Sequence, residues 1–294
     1  MPTINVRIIN AFGTAGGGGN PAGVVLDADD LSGDTKQEIA RRVGLSETAF
    51  VSTSTCADFK LDFYTPTQQI AHCGHATIAV FSYLASQGKI QGYRSSKETV
   101  DGVRKIVLSG DMAFMEQKAP RYIDPKDADV DLAAIVKSVG LEVSDLIGSV
   151  SPVVVNTGNS FLLIPVASED RLSAAIPDLS MIAQISDRLD LIGYYAFTTE
   201  TRQPSSDAAG RMFAPRYGIP EESATGMAAG PLACFLYDKM GVKKTEIVIE
   251  QGYLMVPPSP SVLFAHLSVE GDIIGTLVVG GSSAVSKTIS IALD

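Results

Sequence analysis

The chain carries one long motif twice. Phe63-Tyr64-Thr65-Pro66 is followed seven residues later by Cys73-Gly74-His75-Ala76-Thr77, which opens a charge-free stretch from Ile78 to Gly88. Met212-Phe213-Ala214-Pro215 is followed eight residues later by Ser223-Ala224-Thr225-Gly226, which opens a charge-free run to Tyr237. A repeat of this period implies two copies of one small domain. A solenoid would need at least three copies to bury its core. In both copies a turn rich in small residues leads into a buried-looking helix. The expectation is that the helix starts near Gly74 and Gly226 face each other across one cleft, their backbone N–H groups forming an anion site.

Length agrees with duplication, since 294 residues is the size of two ordinary domains. A 45% hydrophobic content with 19% charged residues supplies packed cores and excludes disorder as the main state. The net charge of −10 argues against a nucleic-acid partner, which needs a basic face. It does not oppose a small anionic substrate, because a local site can be positive on an acidic protein. Three cysteines (Cys56, Cys73, Cys234) with no C-x-x-C spacing read as reduced thiols and a cytoplasmic protein. The N-terminal Met-Pro-Thr-Ile-Asn-Val-Arg lacks a signal pattern. The long uncharged run from Leu146 to Ser168 is broken by Pro152, Asn156, Gly158, Asn159 and Pro165, so it reads as strand, turn and strand, not as a membrane span.

Periodicity places strands over residues 3–12, after Pro21, and over 49–52 and 59–64, with a helix from Thr35 to Val43 stopped by Gly44. Val103–Leu108 and Met112–Gln117 read as a hairpin through Ser109-Gly110-Asp111. The proline-bearing, charged segment 119–131 sets a domain boundary, giving 1–122 and 123–294. A return of the last strand to the first domain remains open. Beyond the boundary a helix over 132–139 and strands at 152–156 and 161–166 restart the cycle, with Asn159 placed as Asn20 is. Gly193–Phe197 then takes the place of Ser46–Phe50, which sets Tyr194 against Glu47. The segments 76–87 and 228–237 are apolar all round, as helices enclosed by a curled sheet would be. Pro231 is tolerable there only in a first turn.

Several residues invite chemistry. Glu47, entering an apolar strand, has the setting of a base whose pKa burial raises, or of a rim carboxylate with no role. Its lack of a charged counterpart in the second copy favours one working carboxylate. His72-Cys73-Gly74-His75 suggests a metal site, but the only other histidine is His266, so no metal is expected. His75, at a helix start, is a neutral imidazole suited to proton shuttling, or simply a capping residue. Cys73 ahead of a helix has the setting of an activated thiol, a base or nucleophile. The repeat sets Ser223 opposite it, a poor unassisted base. Cys56 and Cys234 read as packing residues. Gly16–Gly19 is no phosphate loop, because it lacks the Lys-Ser/Thr ending and leads into a strand. Glu221 and Glu222 precede the second helix, where a carboxylate is favoured as a cap.

Asn20-Pro21-Ala22-Gly23-Val24, Leu45-Ser46-Glu47-Thr48-Ala49-Phe50, Cys73-Gly74-His75-Ala76-Thr77, and Arg211-Met212-Phe213-Ala214-Pro215 with Ala224-Thr225-Gly226 together resemble the PhzF-like phenazine-biosynthesis isomerases. The motifs run in order along nearly the whole chain. The resemblance implies an α+β protein of two similar domains, each a barrel-like, mostly antiparallel sheet around a central helix, as in diaminopimelate epimerase. It also implies a cofactor-free proton transfer with Glu47 as acid/base, Gly74 and His75 matching the family's Gly-His pair, and a homodimer. The chain departs from the family where substrate would sit. Glu222-Ser223-Ala224-Thr225-Gly226-Met227 stands in place of Asp-Pro-Ala-Thr-Gly-Ser, so the reaction class carries over and the substrate's identity does not.

The resulting expectation is an isomerase that moves a proton on a small carboxylate-bearing substrate. Glu47, His75 and Glu222 are its catalytic set. Asn20, Ser46, Cys73, Gly74, Thr225, Gly226 and Met227 are its substrate contacts, the backbone of Gly74 and of 225–227 holding the anion. A Cys73-based racemase or epimerase and a non-catalytic ligand-binding protein on the same fold are the alternatives.

Overall fold

The computed structural model of the protein describes residues 3–148 and 150–293; Met1, Pro2, Ser149 and Asp294 lie outside the described residues. The chain divides into two compact units, residues 1–116 with 280–294, and residues 117–279. No helix among the described residues is long and apolar enough to cross a membrane.

The first unit begins with β1 (Thr3–Ala11) and β2 (Asn20–Val25), followed by α1 (Gly33–Val43). Helix α1 starts where Ser32 accepts a hydrogen bond from the Thr35 amide and stops at Gly44, whose φ of 68° supplies the left-handed cap. Then come β3 (Thr48–Ser52), β4 (Phe59–Tyr64), the short β5 (Gln69–Ile70) and α2 (Gly74–Ser86). The strands β6 (Arg94–Thr99), β7 (Gly102–Ser109) and β8 (Met112–Lys118) complete the run, and the chain's last strand, Ser283–Ala292, pairs antiparallel with β1. Helix α2 packs against β1, β2, β3, β7 and that last strand. Its Ile78, Ala79, Val80, Phe81 and Leu84 are all buried, so a helix without an exposed apolar face is enclosed by the sheet around it. Each fully buried large apolar side chain contributes roughly 1.5–3 kcal/mol relative to exposure.

The second unit contains β9 (Arg121–Ile123), α3 (Leu132–Ser138), β10 (Val153–Asn156), β11 (Ser160–Pro165), α4 (Glu169–Ala174) and α5 (Leu179–Arg188). It continues with β12 (Gly193–Thr198), β13 (Ala208–Ala214), β14 (Ile219–Glu222), α6 (Gly226–Lys239), β15 (Glu246–Gln251), β16 (Ser261–Glu270) and β17 (Ile273–Gly281). Helix α6 packs against β10, β11 and β16. The last strand of the chain, β18, is the one already placed beside β1.

The duplication is visible in the order of pairings. In the first unit β1/β2 is antiparallel, β2/β3 parallel, β3/β4 antiparallel, β4/β6 parallel and β6/β7 antiparallel. In the second, β10/β11 is antiparallel, β11/β12 parallel, β12/β13 antiparallel, β13/β15 parallel and β15/β16 antiparallel. Each unit is therefore a mixed, largely antiparallel sheet with one buried helix, the α+β arrangement that the resemblance implies.

The structure corrects four readings of the sequence. Thr48 pairs with Tyr64 and Tyr194 pairs with Phe213, the matching residues of the two repeated motifs. Tyr194 is thus the counterpart of Thr48, and Gly193 is the counterpart of Glu47. Cys73 is the N-cap of α2 and Thr225 the N-cap of α6, so the counterpart of Cys73 is Thr225 and not Ser223. Pro231 falls in the second turn of α6, beyond the first turn expected for it. The preceding turn is braced from outside the helix, because the Gln117 side-chain amide donates to Gly226 O at 2.9 Å. That approach requires Gly230, where a Cβ would lie 2.0 Å from Gln117 Oε1. Cys234 is buried as expected, whereas Cys56 is exposed and is not a packing residue.

Candidate active site

In the first unit the connection from α1 to β3 delivers Glu47. The Gly44 cap turns the chain, and the Gly23 amide of β2 donates to Glu47 O at 3.0 Å, fixing its backbone at the mouth of β3. Its side chain is 16% exposed, and Oε2 is shut off from solvent. Helix α2 brings the partners. His75 Nε2 stands 3.4 Å from Glu47 Oε2, and on the other side of the ring His75 Nδ1 stands 3.6 Å from Cys73 Sγ. Cys73 and His75 are both buried.

Three potential ligand atoms, from Glu47, Cys73 and His75, lie within 4.8 Å of one another. Glu47 is the third member that the His72–His75 motif lacked in the sequence. The ring orientation nevertheless differs from that of a chelate. One metal ion takes one imidazole nitrogen, whereas here the thiol lies by Nδ1 and the carboxylate by Nε2. A neutral imidazole has one nitrogen that accepts a proton and one that releases it. The 3.4 Å between Nε2 and Glu47 Oε2 is a close approach of two buried polar groups and not a formed hydrogen bond.

The first turn of α2 has no acidic residue, and the Cys73 side chain makes no capping hydrogen bond. The helix thus brings no carboxylate of its own to its positive end, and Glu47 is the one that packs near it. Thr77 Oγ1 instead donates back to Cys73 O at 2.6 Å, closing the turn from inside. Of the other expected contacts in this unit, Gly74 is the first residue of α2, Asn20 is buried as the first residue of β2, and Ser46 is exposed beside Glu47.

In the second unit the turn between β14 and α6 is held by a side chain that sequence reasoning missed. Gln251, the last residue of β15, is 1% exposed. Its Nε2 donates to Glu222 O at 2.7 Å, and its Oε1 accepts from the Thr225 amide at 3.0 Å and from Tyr195 Oη at 2.9 Å. Burial, reinforced by the charge of Glu222, holds the Tyr195 phenol well above its ordinary pKa, so it stays a donor. The Thr225 hydroxyl donates to the Glu222 carboxylate. Asn159 Nδ2 reaches Met227 Sδ at 3.3 Å, and Gly226 carries the carbonyl that Gln117 engages. Glu222, Thr225, Gly226 and Met227 therefore share one turn, and Gln251 sets its shape. A polar residue closing a strand, four residues after the apolar run Ile247-Val248-Ile249 begins, is the only sequence sign of it.

The sequence profile of the phenazine biosynthesis-like protein family matches residues 9–285. The chain belongs to that family. It is 32% identical over 283 residues to a trans-2,3-dihydro-3-hydroxyanthranilate isomerase of Pseudomonas chlororaphis, covering 94% of each protein. It is 32% identical over 258 residues to the uncharacterized isomerase YfhB of Bacillus subtilis, covering 86% of this chain and 87% of that protein. Among solved structures, the PhzF-family phenazine biosynthesis protein of Bacillus anthracis superposes with a TM-score of 0.88 at 27% identity, covering both chains completely. With such relatives along its whole length, this PhzF-family protein is an isomerase.

Proposed function

We propose that this isomerase moves a proton on a small, carboxylate-bearing, amino-substituted substrate, with Glu47 as the acid/base. The observation that carries the reading is the pairing of a largely enclosed Glu47 carboxylate with His75 Nε2 at 3.4 Å. Glu47 takes a proton from a substrate carbon, the electron pair delocalises toward the neighbouring carboxylate or double bond, and the same group returns the proton at a second carbon. Atoms and charge balance without any other reactant. His75, the polar group 3.4 Å from the carboxylate, is placed to support the step as a donor. The acid-free first turn of α2, beginning at Gly74, suits the substrate carboxylate. Within the second unit, Glu222, Thr225, Gly226 and Met227 are the proposed substrate contacts.

A thiol-based racemase is the second reading, favoured by the Cys73 Sγ to His75 Nδ1 contact of 3.6 Å. Against it, the counterpart of Cys73 is Thr225, whose hydroxyl is already committed to Glu222. The deciding experiment is solvent deuterium incorporation. The first compound is trans-2,3-dihydro-3-hydroxyanthranilate, the compound named for the Pseudomonas chlororaphis relative, followed by a panel of small amino-carboxylates. Exchange catalysed by the parent protein and reduced on the order of a hundredfold or more in Glu47→Gln supports the reading. Full exchange by Glu47→Gln would overturn it.

A further inference from the structure

Lys97 lies in β6 and is completely buried. Its Nζ donates to Thr77 Oγ1 at 2.7 Å, sits 3.0 Å from His72 Nδ1, and stands 5.0 Å from the centre of the Phe63 ring. An ammonium has three protons to place. A hydroxyl oxygen, a bare imidazole nitrogen and the negative face of an aromatic ring accommodate all three. Among the described residues no carboxylate bonds to Lys97. Cys73, Asp101 and Arg104 are the other ionisable groups whose charge reaches it.

Burying an ammonium without a counter-ion is costly. Burial drives the Lys97 pKa down to about 7, and the same burial, with the Lys97 charge next, drives that of His72 down to about 3. A methionine would occupy a similar volume without either penalty, so filling space does not account for a lysine here. What the lysine does that methionine cannot is direct hydrogen bonds. Because Thr77 Oγ1 accepts from Lys97, its own proton is free for Cys73 O, 2.6 Å away. Because His72 Nδ1 faces the ammonium, His72 is held as the neutral ring with its hydrogen on Nε2. His72 precedes Cys73-Gly74-His75 and Thr77 follows it, so one buried group grips the turn from both sides.

We propose that Lys97 is a positioning residue for the Cys73-Gly74-His75 turn, clamping His72 and Thr77 so that the His75 ring is held between Cys73 and Glu47. The proposal rests on the reading of that cluster as the working site, but its test uses no turnover. It therefore stands or falls separately from the role given to Glu47.

The chain has three histidines, so the long-range proton–nitrogen spectrum of the 15N-labelled full chain holds three imidazoles. They are assigned with His72→Gln and His266→Gln. In the parent protein, His72 is expected as a single neutral tautomer whose Nδ1 signal shifts with a midpoint near pH 7, reporting the titration of Lys97 and not of the ring. In Lys97→Met that midpoint disappears and the His75 ring becomes a mixture of tautomers. Amide exchange at residues 75–77 then rises about tenfold or more while residues 80–84 are unchanged. Thr77→Val is the gentler variant. It leaves the His72 signals in place and reproduces the faster exchange of the turn. An unchanged His75 spectrum and unchanged turn exchange in Thr77→Val overturn the clamp whether or not Lys97→Met folds. So does a His72 Nδ1 signal that is flat between pH 6 and 8 in the parent protein.

Discussion

Gly193 occupies in the second unit the position that Glu47 occupies in the first, since Tyr194 pairs with Phe213 as Thr48 pairs with Tyr64. The second copy has no room for a carboxylate there. A Cβ at Gly193 would lie 2.4 Å from Phe213 O, a backbone atom that cannot swing aside. The two copies have therefore diverged at the position of the proposed acid/base. Gly193→Ala is expected to destabilise the protein by about 2 kcal/mol through overpacking. Urea unfolding measures it, and a neutral result would mean that strand β12 shifts easily.

At the Glu47 position itself, length and charge are separable. Glu47→Asp keeps a base but withdraws it from His75 and from substrate, so a loss of roughly tenfold to a hundredfold in exchange rate is expected, milder than that of Glu47→Gln. Equal losses in the two variants would show that the reach of the side chain matters as much as its ability to take a proton.

His75 and Cys73 are predicted to differ sharply. His75→Gln removes the group facing Glu47 and should lower exchange on the order of a hundredfold. Cys73→Ser preserves size and a weak donor toward Nδ1, and should cost no more than about tenfold. Rates of both variants beside the parent, with and without a thiol-alkylating reagent, decide it. A dead Cys73→Ser with an active His75→Gln would move the chemistry to the thiol.

Much of this was legible because the informative residues sit at helix starts. Gly74 opens a helix free of acidic and basic side chains other than His75, and Gly226 opens one that stays uncharged as far as Tyr237, and their burial follows from having no polar face. The convergence of Glu47 on His75 was less so, since only tertiary packing sets a strand entrance beside a helix start 28 residues on. The register of the second copy was misread by one residue because Tyr194 and Tyr195 are both large, and either satisfies an alternating pattern. Lys97 was invisible for a different reason. The strand Arg94-Ser-Ser-Lys-Glu-Thr99 has no apolar residue, so nothing in its composition marks Ser95, Lys97 and Thr99 as the inward face. Cys56 was misplaced because an apolar reputation says nothing about a loop whose amide is held by Ser54 Oγ at 3.1 Å.

Gln251 offers a test of the second unit alone. Gln251→Leu keeps the volume but strips partners from Glu222 O, the Thr225 amide and Tyr195 Oη. Each buried polar group left unpaired costs about 1–3 kcal/mol, so a loss of about 3 kcal/mol or more is expected. Gln251→Glu still accepts from Thr225 and Tyr195 but sets an oxygen against Glu222 O, and should fall between the parent and Gln251→Leu. Urea midpoints in that order confirm the network. A Gln251→Leu variant as stable as the parent would contradict it.

The last prediction concerns pH, and its sign follows from Lys97. In the folded chain the Lys97 pKa is pushed down to about 7 by burial, while in the unfolded chain it returns to its ordinary 10.5. Between those values the unfolded state binds the extra proton, so stability from this group rises as pH increases through that window and falls as pH drops toward 7. From pH 7 to 8.5 the gain is about 1–2 kcal/mol, since one proton difference is worth about 1.4 kcal/mol per pH unit. His72 acts in the same direction lower down. Its folded pKa of about 3 against 6.5 makes stability fall as pH drops below 6.5 toward 3. Cys234, pushed up to about 12 by burial, opposes the trend only above about pH 9, so the window of 7 to 8.5 isolates Lys97. Urea unfolding of the parent and of Lys97→Met at pH 7, 7.5, 8 and 8.5 is the measurement. The parent should gain stability relative to the variant across that range, because the variant has lost the titrating group and keeps every other one. Parallel curves would mean that Lys97 does not change protonation there, and that its charge survives burial by virtue of Thr77, His72 and Phe63 alone.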